Sequence, residues 1–254
     1  MPSKSKNVKA VEISIGVIQQ LVKQDGARVT EVAEALDVAP STAHNHLQTL
    51  LNEGYVVNEG SIYYPSLEIL YIGDYAQRRK VGYQKAKSHV DALAEESGGR
   101  THFTVLEHGR GRYIYTSMGK LSFEPFSGNG SDFPLHVTAA GKAMLAELPE
   151  VRVRDIIDTQ GLEECTPQSI TVEDEFIEEL TQIRKRGVAF NIEEHHRGIS
   201  AVAAAVTEPN GGLLGALTVS GPAQRFKGDL LREEFPDMLL AQVNELELDI
   251  MYSN

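Results

Sequence analysis

Four consecutive residues, Glu193-Glu194-His195-His196, could in principle bind a metal ion or transfer protons. Adjacent side chains point apart, so neighbouring histidines rarely converge on one ion, and we expect no metal site. Neither a Ser/His/Asp nor a Cys/His set has a spacing that supports catalysis. Cys165, the single cysteine, lies in an acidic stretch that resembles a loop. We therefore interpret the four residues as a structural or solvated turn, and we expect no enzyme activity and no cofactor.

A second candidate site is the stretch Pro134–Leu145, PLHVTAAGKAML. Thr138 is a suitable N-cap, and the small residues Ala139, Ala140 and Gly141 would leave the first backbone N–H groups of a helix uncovered. Such a helix end attracts a carboxylate or a phosphate. An ordinary capped helix is the alternative, so the anion site needs support from other elements.

Two strand-like stretches give that support. Alternation along Leu213–Ser220 places four side chains on one face: Leu214, Ala216, Thr218 and Ser220. Alternation along Ile199–Val206 places a mostly small set on one face: Ile199, Ala201, Ala203 and Ala205. Small side chains leave space, and buried hydroxyl groups need partners. The pattern predicts a small, hydroxyl-lined pocket for a small organic anion, closed by the helix N-terminus.

A third candidate site is the polar face of a helix predicted from Pro40 to about Glu53. Its apolar stripe comprises Ala43, Leu47, Leu50 and Leu51, and the opposite face carries Ser41, Asn45, Gln48 and Asn52, flanked by His44 and Thr49. Asn and Gln can form two hydrogen bonds with adenine, whereas a merely solvated helix would usually carry Lys and Glu. The composition favours base recognition over a solvated face. His46, beside the stripe, is interpreted as packed.

Contacts with phosphates are less obvious, because this helix has no Lys or Arg and DNA affinity normally needs several. The candidates are Ser41, Thr42, His44, Arg28, Asn58, Ser61 and the basic N-terminal tail. Glu59, between two of these residues, is unfavourable.

The elements around this helix have a recognisable order. Helical spacing is expected over 8–24 and Val29–Leu36, and the short turn Asp37–Ala39 precedes the polar helix. The stretches Tyr55–Val57 and Ile62–Tyr64 predict strands on either side of a turn, Asn58–Ser61. Helix, helix, turn, helix and hairpin is the layout of a winged helix-turn-helix.

The rest of the chain predicts a linker helix and a second domain. Helical spacing from Ser66 to about Glu96 is expected to break near Gly82. Beyond it we expect four strands, at His102–Glu107, Arg112–Ser117, Ile199–Thr207 and Leu213–Ser220. We also expect three helices, at Thr138–Leu148, Asp174–Arg186 and Leu230–Tyr252, the last interrupted at Pro236. A turn is expected at His108–Gly111 and a loop at Ser127–Asp132. The predicted class is α+β, with antiparallel hairpins and packed helices. The expected domains are 1–66, a linker helix over 67–82, and 83–254.

Charge and composition fit this division. The chain has 254 residues and a net charge of −12. Residues 1–80 carry eight basic and nine acidic residues, so almost all of the negative net charge lies in residues 81–254. This distribution is expected for a nucleic-acid module joined to an acidic domain, or for adaptation to high salt. One cysteine excludes an intramolecular disulfide framework, and the start has no apolar signal segment. We expect a cytoplasmic protein that does not span a membrane.

With these motifs in view, the chain resembles the IclR-type bacterial and archaeal transcriptional regulators. The resemblance covers nearly the whole length and rests on Val29–Val56, Pro134–Pro149, Arg186–Val206 and Gly215–Pro222. In that family a helix joins a winged helix-turn-helix to a GAF-like effector domain. Dimers bind DNA and often pair further, and a small organic ligand changes operator affinity.

When the effector-contact positions of the family are transferred to this sequence, the resemblance implies contacts at Ala139, Ala140, Asn191, Ile199, Ala201, Thr218 and Ser220. Four positions depart from the family pattern. Asn191 and Ile192 stand where acidic residues are common, and Ala201 replaces a polar residue found in members that bind small keto acids. Asn45 stands where arginine is common.

We therefore expect a homodimer or dimer of dimers that binds double-stranded operator DNA and a small organic acid effector. Base contacts are expected from Ser41, Thr42, Asn45 and Gln48, with His44, Thr49, Arg28, Asn58 and Ser61 around them. Two alternatives remain open: a sensor or assembly module that does not bind DNA, and an enzyme that uses the pocket with Glu194 or His195.

Overall fold

A computed structural model describes residues 7–122 and 128–253, and the chain divides into two units, Met1–Ala76 and Gln77–Asn254. The predicted mixture of helices and antiparallel strands is confirmed. The N-terminal tail and Ser127 of the predicted Ser127–Asp132 loop lie outside the described residues. None of the described helices is long and apolar enough to cross a membrane.

The first unit has the predicted order of three helices and a hairpin. The elements are α1 (Lys9–Lys23), α2 (Val29–Ala35), α3 (Pro40–Asn52), β1 (Val56–Glu59) and β2 (Ile62–Pro65). Its hydrophobic core lies between the three helices and the hairpin. The buried side chains of this core include Val17, Leu21, Val32, Leu47 and Tyr63. Pro40 occupies the first turn of α3, where its missing N–H costs nothing. The apolar stripe of α3 is confirmed, with Leu51 only partly buried.

The hairpin turn is tighter than expected. Asn58 and Glu59 pair with Tyr63 and Ile62, so they belong to β1 and the predicted four-residue turn was wrong. The tip is Gly60-Ser61, and Gly60 has a φ of 68°, which glycine adopts without strain.

The linker region also differs from the prediction. Helix α4 (Glu68–Arg78) ends before Arg79, and α5 (Val81–Ser97) begins after Lys80, so the expected break near Gly82 is present but falls at Arg79-Lys80. Gly82 lies inside α5, where an added Cβ would come 2.5 Å from Leu214 Cδ2. The glycine therefore permits close helix–sheet packing rather than a bend.

The second unit is built on a six-stranded antiparallel sheet. The strands are β3 (Arg100–Glu107), β4 (Arg110–Met118), β5 (Asp132–Phe133), β6 (Ala189–Ile192), β7 (Ile199–Thr207) and β8 (Leu213–Pro222), in the order β5-β4-β3-β8-β7-β6. The two predicted hairpins are confirmed, although the first turns at His108-Gly109 alone rather than over His108–Gly111. The pairing of β3 with β8 joins the hairpins. The sequence analysis missed the short strands β5 and β6.

Helices cover the two sides of this sheet. Helix α5 and the C-terminal α9 (Phe235–Met251) share a core with Phe103, Val202 and Val219. On the other side, α6 (Ala139–Ala146) and α8 (Glu173–Arg186) pack over Ala201, Ala203 and Ala216. The small side chains predicted on one face of β7 therefore allow α6 to approach the sheet.

One residue of β8 faces the side opposite to the prediction. Val206 pairs with Gly215 but Thr207 pairs with Leu213, which leaves Leu214 as the extra residue of a β-bulge. Leu214 therefore packs in the core of α5 and α9, while Ala216 lies on the α6 side. The predicted common face of Leu214 with Ala216, Thr218 and Ser220 was wrong because strict alternation does not survive a bulge.

The helices of the second unit need three corrections. Helix α6 ends at Ala146 rather than Leu148, and a further helix, α7 (Glu150–Gln160), was missed. The chain is not interrupted at Pro236. A π-helical turn, Leu230–Glu234, leads directly into α9, and Pro236 sits in its first turn, where the N–H that proline lacks is not required.

Candidate functional sites

The first candidate site, which we call the α3 surface, comprises the outward face of α3, the hairpin tip and Arg28. Ser41, His44, Asn45 and Thr49 are exposed on α3, and Thr42 and Gln48 are partly so. Asn45 has its side chain on the open face, and its backbone carbonyl accepts a hydrogen bond from Thr49 Oγ1 at 2.9 Å. Gln48 Nε2 donates to the Tyr63 hydroxyl at 3.1 Å, which fixes the amide against β2.

The edge of the α3 surface is formed by the start of α2 and the hairpin tip. Arg28 precedes α2, and its backbone N–H donates to Glu31 Oε2 at 2.7 Å. Its Nε lies 3.5 Å from Ser61 Oγ, so the guanidinium is adjacent to the tip, where Asn58 is also exposed. All nine residues predicted for nucleic-acid contact lie on this unit. His46 lies off the surface, with its Nδ1 2.8 Å from Ser14 Oγ, as predicted for a packed histidine.

The second candidate site is a cavity of about 290 Å³ in the second unit, between α6 and the sheet. All seven residues predicted for effector contact line it: Ala139, Ala140, Asn191, Ile199, Ala201, Thr218 and Ser220. They come from four separate stretches of the chain, so the tertiary structure brings together a set that the sequence only suggested. Nine further residues line it: Arg100, His102, Thr104, Tyr113, Asp132, Phe133, Thr138, His195 and His196.

Helix α6 begins at the cavity wall. Thr138 is its N-cap as predicted, and its Oγ1 accepts the N–H of Gly141 at 3.2 Å. The prediction that Gly141 offers a bare N–H was therefore wrong, and its lack of a side chain serves packing instead, since an added Cβ would lie 2.1 Å from the Leu135 carbonyl oxygen. The N–H groups of Ala139 and Ala140 precede the first intrahelical bonds and remain for an anion.

The two hydroxyl groups of β8 have different partners. Ser220 Oγ donates to the Arg100 carbonyl and lies 3.1 Å from His102 Nε2, so it accepts from that nitrogen. Thr218 Oγ1 is buried and has no hydrogen-bond partner among the described residues. An unsatisfied buried hydroxyl costs about 1–3 kcal/mol, so a ligand that accepts or donates a hydrogen bond here would recover that cost.

Strand β3 supplies cavity residues that the sequence analysis missed. Arg100 and His102 pair with Ser220 and Thr218 and line the cavity with Thr104. The available signal was the run Arg100–Thr104, in which residues 100, 102 and 104 are polar. Only the pairing of β3 with β8 shows that these three side chains lie on the cavity side of the sheet. The Arg100 guanidinium carbon lies 5.7 Å from the centre of the Tyr113 ring.

Burial lowers the pKa of two imidazoles in this wall, those of His102 and His195, and so favours their neutral form. Desolvation, reinforced by the Arg100 charge, holds the pKa of His102 well below its usual 6.5. Desolvation and the neighbouring His196 lower the pKa of His195 to about 4. The positive potential at the cavity comes from Arg100 and the start of α6, and the carboxylate of Asp132, which also lines the cavity, is paired with Arg110. Burial lowers the pKa of Arg100, but a guanidinium stays charged in proteins.

Within the Glu193–His196 motif, Glu194 has a structural role. Both carboxylate oxygens of Glu194 bind Lys142 Nζ of α6, at 2.8 and 2.6 Å, and Lys142 is only 2% exposed. The Glu194 N–H donates to Asn191 Oδ1 at 2.8 Å, which leaves the Asn191 Nδ2 group as the donor on the cavity side. Glu194 therefore holds the connection between β6 and β7 and does not line the cavity. The described residues contain no group of three or more candidate ligands that could hold a metal.

Comparisons with known proteins match both units. A family model described as the IclR helix-turn-helix domain matches residues 10–60, and one described as the bacterial transcriptional regulator IclR C-terminal matches residues 74–248. The chain belongs to the IclR family of transcriptional regulators. The predicted family and its architecture, a helix-turn-helix DNA-binding domain with a ligand-binding C-terminal domain, are thereby confirmed.

Individual relatives match most of the chain or its second unit. A probable HTH-type transcriptional regulator ArcR of Halobacterium salinarum is 27% identical over 96% of this chain and 94% of its own. The crystal structure of the Thermotoga maritima IclR is 28% identical, with a TM-score of 0.78 over 96% of this chain and 98% of that one. The inducer-binding domain of an Acinetobacter PobR double mutant, solved with 3-hydroxybenzoic acid, is 26% identical, with a TM-score of 0.60 over 65% and 96%.

The buried ion pair of this IclR-family regulator gives a stability prediction. Changing Glu194→Gln leaves Lys142 buried with only Glu179, 4.0 Å away, as a countercharge, and we expect a loss of about 3–5 kcal/mol in the free energy of unfolding. Urea unfolding measures it. The control, Asp91→Asn, breaks the exposed pair with Lys87 and should cost no more than about 1 kcal/mol. Equal effects of the two substitutions would contradict the structural role.

The neutral imidazoles give a prediction for acid. The unfolded chain protonates its histidines near pH 6.5, while folded His102 and His195 resist protonation. The stability they contribute is therefore complete above pH 6.5 and is lost as the pH falls towards 4. We expect the Tm of the second unit to fall over this range, and to fall less in His102→Gln. The exposed His44→Gln variant serves as the control, and parallel Tm curves for His102→Gln and the unaltered protein would refute the assignment.

Proposed function

We propose that α3 enters the major groove of operator DNA and reads base edges with Ser41, Thr42, Asn45 and Gln48. The proposal is supported by the exposure of an amide and hydroxyl face that has no charge, on the helix that follows the turn in a winged helix-turn-helix. Asn45 is the main reader, because its side chain is exposed, while Gln48 is already held by Tyr63. His44 and Thr49 flank these residues.

Phosphate contacts are then made mostly by neutral groups. Helix α3 begins without a side-chain cap accepting its first N–H groups, and such an end binds phosphate. The tip residues Asn58 and Ser61 add polar side chains, and Arg28 adds one charge. These contacts position the unit on the duplex but do not specify sequence.

A second copy of the chain is the proposed partner of the first unit. Helix α4 buries none of its residues, yet it carries the exposed apolar side chains Leu70, Tyr71 and Tyr75. A shallow apolar groove along α1 includes Val11 and Ile15, which are also exposed. A homodimer would cover such faces and present two α3 helices to two half-sites. A dimer of dimers would extend the same arrangement.

For the second unit, we propose a small organic carboxylate as the effector. The observation that carries this proposal is the unpartnered Thr218 hydroxyl beside the open N–H groups of Ala139 and Ala140, in one cavity with Arg100. Asn191 Nδ2 and the Ser220 hydroxyl add polar contacts. The aromatic rings of Tyr113 and Phe133 and the small Ala201 favour a compact, partly apolar acid, the class to which the ligand of the related PobR domain belongs.

The effector would act by shifting the second unit between two states. A ligand can bias an equilibrium only by its different affinity for the two states, and the start of α6 and the β6–β7 connection are where its contacts fall. Helix α4 and the short break at Arg79-Lys80, which lead from the first unit into the second, would carry that bias to the helix-turn-helix. Whether the bound state favours repression or activation depends on where the operator lies.

The operator contacts can be tested on the DNA upstream of the protein's own gene, against a scrambled duplex. Asn45→Ala should lower the affinity for the specific duplex by about 1–3 kcal/mol, or about 5- to 150-fold, and Gln48→Ala should lower it less. A footprint with two half-sites is expected. The matched control is Gln19→Ala, exposed on α1. Specific binding that survives both changes in α3 would point to the sensor or assembly alternative.

The effector site can be tested by calorimetry with small carboxylates such as benzoate, 3-hydroxybenzoate and pyruvate, each beside its methyl ester. We expect at least one acid to bind and its ester to bind far less, because the helix N-terminus and Arg100 favour an anion. Thr218→Val should weaken that binding about tenfold or more, since a hydrogen bond to a charged group contributes about 1.5–3 kcal/mol. Ser220→Leu should abolish the response while DNA binding persists.

The control for these variants is Ser88→Ala, on the exposed side of α5. Equal affinity for an acid and its ester would argue against an anion site. An unchanged response in Ser220→Leu would place the effector elsewhere.

A further inference from the structure

The DNA-binding unit of this regulator is itself acidic. Residues 1–76 contain five basic residues and nine acidic ones, a net charge of −4. Domains that bind nucleic acid through phosphate charge normally show the opposite balance. The unit therefore recognises a polyanion without an overall attraction to it.

The charges near the α3 surface are no more favourable. Arg28 is the one basic residue on this surface, and its Nη1 lies 3.9 Å from Glu31 Oε1. The tip of the hairpin carries Glu59, fully on the solvent side next to Asn58. The other basic residues of described positions 7–76 are Lys9, 3.9 Å from Glu12, and Lys23, at the end of α1.

Salt dependence reports how many phosphates a protein neutralises. Each phosphate contacted by Lys or Arg releases condensed cations, and log K falls with log salt with a slope of about −0.9 per contact. Proteins that make six to ten such contacts lose about 10³- to 10⁵-fold in affinity between 50 and 200 mM salt. Contacts made by backbone N–H, hydroxyl and amide groups release no cations, and a carboxylate near a phosphate retains them.

We propose that this regulator binds its operator with an affinity that is nearly independent of salt concentration, because polar side chains and the uncharged N-terminus of α3 replace cations on the α3 surface. Among the described residues of the α3 surface, two copies of Arg28 in a dimer contribute a slope of about −2, and two copies of Glu59 oppose it. The protein therefore remains bound at molar salt, where a basic winged helix dissociates. The inference rests on the proposed base-reading role of α3.

The test is a titration of the full-length protein with its operator and a scrambled duplex from 0.1 to 2 M potassium glutamate, which minimises competition by bound anions. A log–log slope shallower than about −2, including a rise of affinity with salt, supports the inference, and a steeper slope overturns it. Absence of sequence-specific binding at every concentration would overturn the proposed function, and the inference with it.

Charge variants locate the effect. Glu59→Lys adds one cation per hairpin and should steepen the slope by about 2 for a dimer. Arg28→Gln should flatten it by a similar amount. The matched control is Glu178→Lys, on the exposed side of α8 in the second unit, which changes the net charge equally and should leave the slope unchanged. Equal steepening by Glu59→Lys and Glu178→Lys would show that only net charge matters, and would overturn the role of the α3 surface.

Discussion

Among the described residues of the second unit, the ion pair of Lys142 with Glu194 is the most deeply buried. A lysine that is 2% exposed is tolerated only because both oxygens of one carboxylate lie within 2.8 Å of its ammonium group. The pair joins α6 to the connection between β6 and β7, and the same connection positions Asn191 through the Glu194 N–H. Two walls of the cavity, one helical and one from the sheet, are thus held relative to each other by an ion pair as well as by the apolar packing of α6 on the sheet.

The cavity exists because small residues keep that interface from closing. Ala201 and Ala203 on β7 and Ala139 and Ala140 on α6 bring backbone close to backbone and leave room above the sheet. The polar groups that remain there are backbone N–H groups, imidazoles, hydroxyls, the Asn191 amide, the Asp132 carboxylate and the Arg100 guanidinium. Such a site discriminates by hydrogen-bond geometry and by the charge of the ligand, which suits a sensor that binds a small acid without changing it chemically.

The two proposed sites of this IclR-family protein use the same physical device. In each, helix N-termini and polar side chains face an anion, a phosphate in one unit and a carboxylate in the other, with a single arginine nearby. An acidic chain can bind anions in this way because backbone dipoles do not contribute to its net charge. The same acidity that would weaken binding through surface cations then leaves recognition dependent on fixed, short-range donors.

The sequence by itself determined what short-range periodicity encodes. The three N-terminal helices, the hairpin, the β3–β4 and β7–β8 pairs and the Thr138 cap follow from patterns of 3.6 and 2 residues and from capping chemistry, and the IclR motifs directed attention to all seven expected cavity residues. Tertiary structure alone decided the bulge that turns Leu214 away from Ala216, the use of Gly82 for packing, and the short strands β5 and β6, since each depends on partners distant in sequence. It also decided that Arg100 and His102 join the cavity and that Glu194 holds Lys142, because strand pairing and the burial of a charge are satisfied only once the chain has closed on itself.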